Sequence, residues 1–242
     1  MSITTEWLFV LLIIALYVHD SAALLFDNEI LLEWGTRPRV LFGSDTVTMF
    51  GKELVILNPL TPWRPVFRLS WQARPPLADG APRAETGFAE LASQLSAIRW
   101  ALPQIAIGLF VGIPVCLFLN AGWLPFLVVV GVVYVGILAA VVNLWIARPT
   151  LKISGRRFIG LAFESFACPP CALNLVRRVS VALPLAEDAL SVVRRALPEA
   201  DSRHAVDEIR RRVDADLAMA EEGSADWHVL SDYRRRLPGK AK

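Results

Sequence analysis

All 25 lysines and arginines of this 242-residue chain fall within residues 27–99 and 148–242, and the three long apolar runs before and between those stretches contain none. Positive residues are retained on the cytoplasmic side when a chain is threaded through a bilayer. The partition therefore reads as a topology, with both basic stretches on one side and the uncharged ends and connections on the other. The fold class that follows is a membrane α-helical protein of three transmembrane helices, the last two a tight hairpin, with a small cytoplasmic β-rich insert and a helical C-terminal tail. A content of 55% hydrophobic and 20% charged residues fits that mixture better than a soluble domain.

The first run, Trp7 to Phe26, is long enough to cross about 30 Å of hydrocarbon as a helix, although its densest apolar part ends at Val18. The second, Ala101 to Leu119, carries Pro103 near its start and Pro114 inside, where a kink is expected. The third, Trp123 to Ala147, is dominated by Val, Leu, Ile and Gly. Only Asn120, Ala121 and Gly122 separate the last two runs, which permits nothing but a tight antiparallel turn. Trp7, Trp100, Trp123 and Trp145 stand at run ends, the headgroup level favoured by indoles.

The expected organisation is an N-terminal transmembrane anchor at 1–26, a small β-rich cytoplasmic module at 27–72, a linker and amphipathic helix at 73–100, the transmembrane hairpin at 101–147 and a cytoplasmic helical tail at 148–242. Short β-rich runs from Arg39 to Leu57, broken by Gly43-Ser44-Asp45 and Gly51-Lys52, predict a meander of hairpins, with Val66 to Trp71 as a last strand. Trp63, Phe67 and Trp71 are its candidates for contact with membrane, tail or partner. A helix is expected from Glu85, with Phe88, Leu91, Leu95 and Ile98 at helical spacing. In the tail, Phe158, Leu161 and Ala162 form an apolar face beside Arg156 and Arg157, suited to the membrane interface. A helix is expected from Cys168 to about Ala182, a third between Pro184 and Pro198, and a fourth from about Ser202 to Glu221, capped by Asp201 or Ser202 and stopped by Gly223.

Cys168-Pro169-Pro170-Cys171 is the sharpest local pattern. A C-x-x-C at a helix start favours thiolate and so dithiol exchange, but the βαβ pattern of a thioredoxin-like site is missing. On the reducing side of the membrane the pair is expected as thiols. As a metal site it supplies two ligands, with only His204 and His228 as further tail candidates, so no metal and no cofactor is assigned. His19 and Asp20 are intramembrane polar candidates, read either as interfacial and solvated or as partners of Gln104 or Asn143 on the hairpin. Gly108 and Gly112 make a G-x-x-x-G for close helix packing against the third run, homodimerisation being the alternative. The arginine clusters at 177–178, 194–195, 210–212 and 234–236 are read as helix faces paired with Asp and Glu, against binding of anionic lipid or an acidic partner.

No catalytic constellation stands out, and a net charge of +2 gives no nucleic-acid footprint. The expected function is a non-enzymatic integral membrane accessory, scaffold or assembly subunit that presents cytoplasmic modules to a larger complex. Its expected partners are membrane lipids and other membrane or cytoplasmic proteins. The alternatives are a membrane-bound thiol-redox protein using the CPPC pair and a component of ion or proton translocation. The expected location is a multi-pass inner membrane with the N-terminus outside and the C-terminus cytoplasmic. The use of 21 Arg against 4 Lys suggests a GC-rich, bacterial genome.

Overall fold

Mostly helical, with a small β insert, the chain is described by a computed structural model over residues 5–44, 46–71, 87–183, 185 and 187–237. The expected linker at 73–83, the helix start at Glu85 and the bracketing Pro184 lie outside the described residues. Two compact units divide the chain: Met1–Ala23, Ile56–Pro65 and Thr86–Val181 form one, and Leu24–Val55, Val66–Glu85 and Ala182–Lys242 the other.

In the first unit, helix α1 (Thr5–Asp20) covers 16 residues and stops where the run turns polar. Residues Ala22–Leu25 become strand β1, so the helix expected to reach Phe26 is shorter than that. The reason is local: Ser21 donates its Oγ to Tyr17 O at 2.8 Å, ending the turn, and two residues later the backbone is extended. Helices α2 (Phe88–Gln94) and α3 (Ser96–Arg99) bury Phe88, Leu91, Leu95 and Ile98, the four positions at helical spacing. The chain runs on through α4 (Ala101–Ile107), a π-helical turn (Gly108–Gly112) and α5 (Ile113–Phe118). Pro103 sits in the first turn of α4, where its missing N–H is tolerated. Pro114 has no N–H to offer the carbonyl four residues back, and the helix answers by widening into the π turn just before it.

Asn120 and Gly122, both at positive φ (47° and 82°), turn the chain into α6 (Trp123–Ala147, 25 residues). Gly108 lies against Val133 of α6, and a Cβ added at Gly112 would sit 2.7 Å from Val129 Cγ1. Facing them from α6, a Cβ at Gly136 would come within 2.9 Å of Ile105 Cγ1. We expect Gly108→Val to destabilise this helix pair by about 1–3 kcal/mol through overpacking, and Val133→Ala to return part of the loss, read by thermal unfolding in detergent.

Among the described residues two helical stretches, Ser96–Phe118 and Trp123–Ala147, are long and apolar enough to cross a membrane, by length and composition. Only 33% and 28% of their most apolar windows are buried, so both present apolar faces outward and point to membrane association. Helix α1 at 16 residues is shorter than either. After α6 come α7 (Gly155–Ala167), α8 (Pro169–Ala172) and α9 (Leu175–Val181). The single helix expected from Cys168 to Ala182 is thus two, broken at Leu173-Asn174, where Asn174 N turns back to Cys171 O at 3.1 Å.

The second unit is built on strands β2 (Glu29–Glu33), β3 (Arg39–Leu41), β4 (Thr48–Met49), β5 (Lys52–Ile56) and β6 (Val66–Ser70). The expected single meander is replaced by two three-stranded sheets, ordered β1-β5-β4 and β3-β2-β6. The cause is β2, whose Ile30, Leu31 and Leu32 are fully buried and claim β3 and β6 as antiparallel neighbours, Leu31 opposite both Leu41 and Arg68. Of the three aromatics expected to contact membrane, tail or partner, Phe67 and Trp71 are wholly buried and Trp63, in the first unit, is half-buried. Helices α10 (Ala189–Ala196), α11 (Glu199–Met219) and α12 (Ala225–Arg236) complete the unit. Helix α11 starts three residues before Ser202, with Pro198 at the cap and no side-chain cap bond, and buries Val206, Ile209 and Val213. Gly223, at φ +84°, lies in the turn that follows it.

Candidate functional site

The most connected polar group of the first unit forms where α1 ends. Asn174, held buried by the turn between α8 and α9, donates its Nδ2 to Ser21 Oγ at 3.1 Å. One turn on, Arg177 is only 2% exposed and donates through one nitrogen to Asn174 Oδ1 at 3.2 Å. Its other terminal nitrogen donates to Asn58 O at 2.6 Å and Thr61 O at 2.8 Å. The Asn58-Pro59-Leu60-Thr61 turn is thereby tied to α9, and Tyr17 ties it to α1 by donating its hydroxyl to Pro59 O. Arg178 bridges Asp20, at 3.7 Å, and Glu164 of α7. Two carboxylates and two guanidiniums thus cancel in formal charge, Arg178 and Glu164 at the solvent edge and Arg177 and Asp20 further in. The hydroxyls of Ser21 and Tyr17 are both committed to backbone carbonyls, which is the arrangement of a clamp rather than of an activated nucleophile.

The CPPC turn adjoins this network. Cys168 and Cys171 are joined as a disulfide, their Cα atoms 5.3 Å apart, where thiols were expected. Both are half-buried; Cys168 N donates to Glu164 O at 2.9 Å, and Asn174 N to Cys171 O. The disulfide is therefore one turn from Glu164 on one side and from Asn174 on the other. Among the described residues no group of three or more His, Cys, Asp or Glu is placed to hold a metal. His204 and His228 belong to α11 and α12 of the second unit.

Of the two intramembrane candidates, His19 is exposed at the end of α1 and Asp20 is turned to Arg178. The hairpin partners considered for them are occupied elsewhere: Gln104 donates to Val132 O at 3.0 Å and Asn143 to Ala139 O of its own helix at 2.8 Å. Arg177, expected with Arg178 on a helix face paired with Asp and Glu, is instead buried on Asn174 and two backbone carbonyls, within the apolar Leu175-Val176-Arg177-Arg178-Val179. The one available signal was the isolated Asn174 beside an arginine pair, in a stretch too apolar to leave either solvated.

In the second unit Arg212, 7% exposed, reaches Glu53 Oε2 at 2.5 Å, Gly43 O at 2.9 Å and Glu208 Oε1 at 2.9 Å, with its guanidinium 5.4 Å from the Phe42 ring. Gly43 is required there because a side chain would collide with Glu53. Arg195, Arg203, Arg211, Arg234 and Arg235 likewise pair with carboxylates of this unit. Hydrogen bonds from Arg211 and then Arg212 outweigh burial and hold the Glu208 carboxyl down at about 2. A depressed carboxyl stabilises the fold above its unfolded value near 4.5, and that contribution is lost as pH falls through about 2. Hydrogen exchange of α11 should therefore accelerate, relative to unfolded chain, between those two values, and Glu208→Gln should remove that part of the acid sensitivity. Tyr233 is pushed well above the usual phenol range by burial and by Asp188, whose Oδ1 accepts its hydroxyl at 3.0 Å.

A groove of about 440 Å³ in the same unit is lined by Asp27, Asp216, Glu221 and Asp226, with Asn28 and Leu230. No family model, curated protein or solved structure matches the chain, so the functional reading rests on its own residues.

Proposed function

We propose that the protein is an integral membrane accessory, scaffold or assembly subunit, crossing the bilayer with α1, the α3–α5 stretch and α6, and presenting its β-rich module and helical tail to the cytoplasm. The carrying observation is the contrast between outward-facing apolar helices and buried arginines that tie distant segments of the chain together. Trp7, Leu8, Leu11 and Leu12 of α1 and Leu124, Val128, Val135 and Leu138 of α6 are all at least 49% exposed, a surface that suits acyl chains. Arg177 and Arg212, the buried arginines with the most partners, fasten segments more than a hundred residues apart in sequence, which supports a presenting scaffold. The uncharged α5–α6 connection and the N-terminus then face outward, and the charge rule places the basic stretches inside. In mild detergent at native expression, the subunit reading expects a stoichiometric membrane partner to co-purify. A strictly monomeric protein with no partner would contradict it.

A thiol-redox role is the second reading, favoured by one specific observation: the half-buried Cys168–Cys171 disulfide in a C-x-x-C turn. Rapid alkylation of cells should then trap both reduced and oxidised forms, and Cys168→Ser with Cys171→Ser should abolish function. A pair that never changes state under thiol stress removes this reading.

A further inference from the structure

Helix α7 does not leave the end of α6; it doubles back along it. Phe158, one turn into α7, packs its ring on Trp145 near the end of α6, centroids 5.0 Å apart. Phe166, two turns further on, stacks on Tyr134 in the middle of α6 at 6.3 Å, and its carbonyl accepts the Tyr134 hydroxyl at 3.3 Å. The eight residues between Phe158 and Phe166 span about 12 Å of helix, while the partners move 11 residues back along α6. The two helices therefore run antiparallel, and the CPPC turn is carried up to the level of the α6 midpoint. On the face of α7 turned away from its buried Leu161 and Ser165, Ile159 and Phe163 are 66% and 72% exposed. On α6, against which α7 packs, Trp145 and Ile146 are exposed as well.

The cations at the entry to α7 are arranged differently from those of the second unit. Lys152 and Arg156 are exposed, and neither is held by a carboxylate among the described residues. Arg148 spends its Nε on Ile153 O at 3.0 Å and lays its guanidinium 5.1 Å from the Trp145 ring. An apolar helix edge continuous with a span-length helix, ending in unneutralised cations beside an indole, has the charge and polarity profile of one leaflet.

We propose that α7 lies within the leaflet that surrounds the C-terminal half of α6, with Ile159 and Phe163 among the acyl chains and Arg148, Lys152 and Arg156 bound to anionic phospholipid headgroups. This rests on the membrane reading above, takes α7 out of the tail presented to the cytoplasm, and adds a lipid site and a depth for the CPPC turn. Placed there, the disulfide is reached by small lipid-soluble thiol reagents more readily than by charged ones.

The test uses the full chain in phosphatidylcholine–phosphatidylglycerol nanodiscs, with Cys116→Ser and the native disulfide kept. Nitroxide labels are placed one at a time through Phe163→Cys, Leu127→Cys on the exposed face of α6 and Met219→Cys on the exposed surface of α11. Relaxation by oxygen should exceed relaxation by a water-soluble nickel chelate at 163 and 127, and the order should reverse at 219. If 127 reads as lipid and 163 as water, the placement of α7 is wrong and the membrane reading stands; if 127 itself reads as water, both fall. Replacing Lys152 and Arg156 together by Gln should cut the preference for phosphatidylglycerol over phosphatidylcholine, read by native mass spectrometry, by about 30-fold, roughly fivefold for each cation removed. An unchanged preference would overturn the headgroup site.

Discussion

Arg177→Ala is expected to lower the stability of the first unit by about 3–5 kcal/mol, because it empties a fully enclosed volume and removes a donor fork from its acceptors on Asn58, Thr61 and Asn174 at once. The fork joins α9 to the turn at Asn58–Thr61 and to Asn174, which in turn holds Ser21 at the end of α1. The loss should therefore be local before it is global, with the segment 56–65 released first. Limited chymotrypsin digestion, read at Trp63, should speed up in the variant at temperatures where the helices still melt cooperatively. Arg177→Lys should recover only part of the stability, since an ammonium keeps the charge but cannot copy the planar fork across acceptors on different segments. A wild-type melting curve and digestion rate for Arg177→Ala would show that the clamp is ornamental.

Arg212→Met should be as costly, at about 3–5 kcal/mol, for a different reason: the lost guanidinium leaves Glu53, whose side chain is 15% exposed, as a charge without its partner. The diagnostic comparison is the double variant. Glu53→Gln removes the stranded charge, so Arg212→Met combined with Glu53→Gln should be more stable than the sum of the two single losses, by the coupling typical of contacting residues, about 0.5–3 kcal/mol. Strict additivity would mean that the two groups do not depend on each other. The measurement suits chemical unfolding followed by hydrogen exchange of β5 and α11, the elements that carry the pair.

The parts legible in the sequence are those fixed by local pattern. Helix α6 occupies the bounds of its apolar run, Trp123 to Ala147, because nothing inside that run offers an alternative to helix. The stripe Phe88, Leu91, Leu95 and Ile98 is buried because its spacing puts the four on one face. The turn at Asn120–Gly122 follows from having too few residues for anything wider. Strand β2 was not legible: Glu29-Ile30-Leu31-Leu32-Glu33 has no alternation and no β-branched run, and its state is decided by pairing on one edge with the nearby β3 and on the other with β6, distant in sequence. The end of α1 was misread because an apolar run says how far a segment is greasy, not how far it is helical. Ser21 and Asn174 are 153 positions apart, and Glu53 and Arg212 are 159, so neither pairing leaves a mark in local spacing. Asp20 illustrates the same limit. A carboxylate late in an apolar run asks for a partner, and only the folded chain identifies it as Arg178.

The central claim is that the chain crosses a bilayer and keeps both of its charged regions on one side. Single cysteines at Ser2, Asp79 and Lys242, probed in intact cells with a membrane-impermeant maleimide, test it most directly. The account predicts labelling at position 2 without permeabilisation and at 79 and 242 only after it. Labelling of 79 and 242 from opposite sides, or release of the whole protein from membranes by alkaline carbonate, would contradict it.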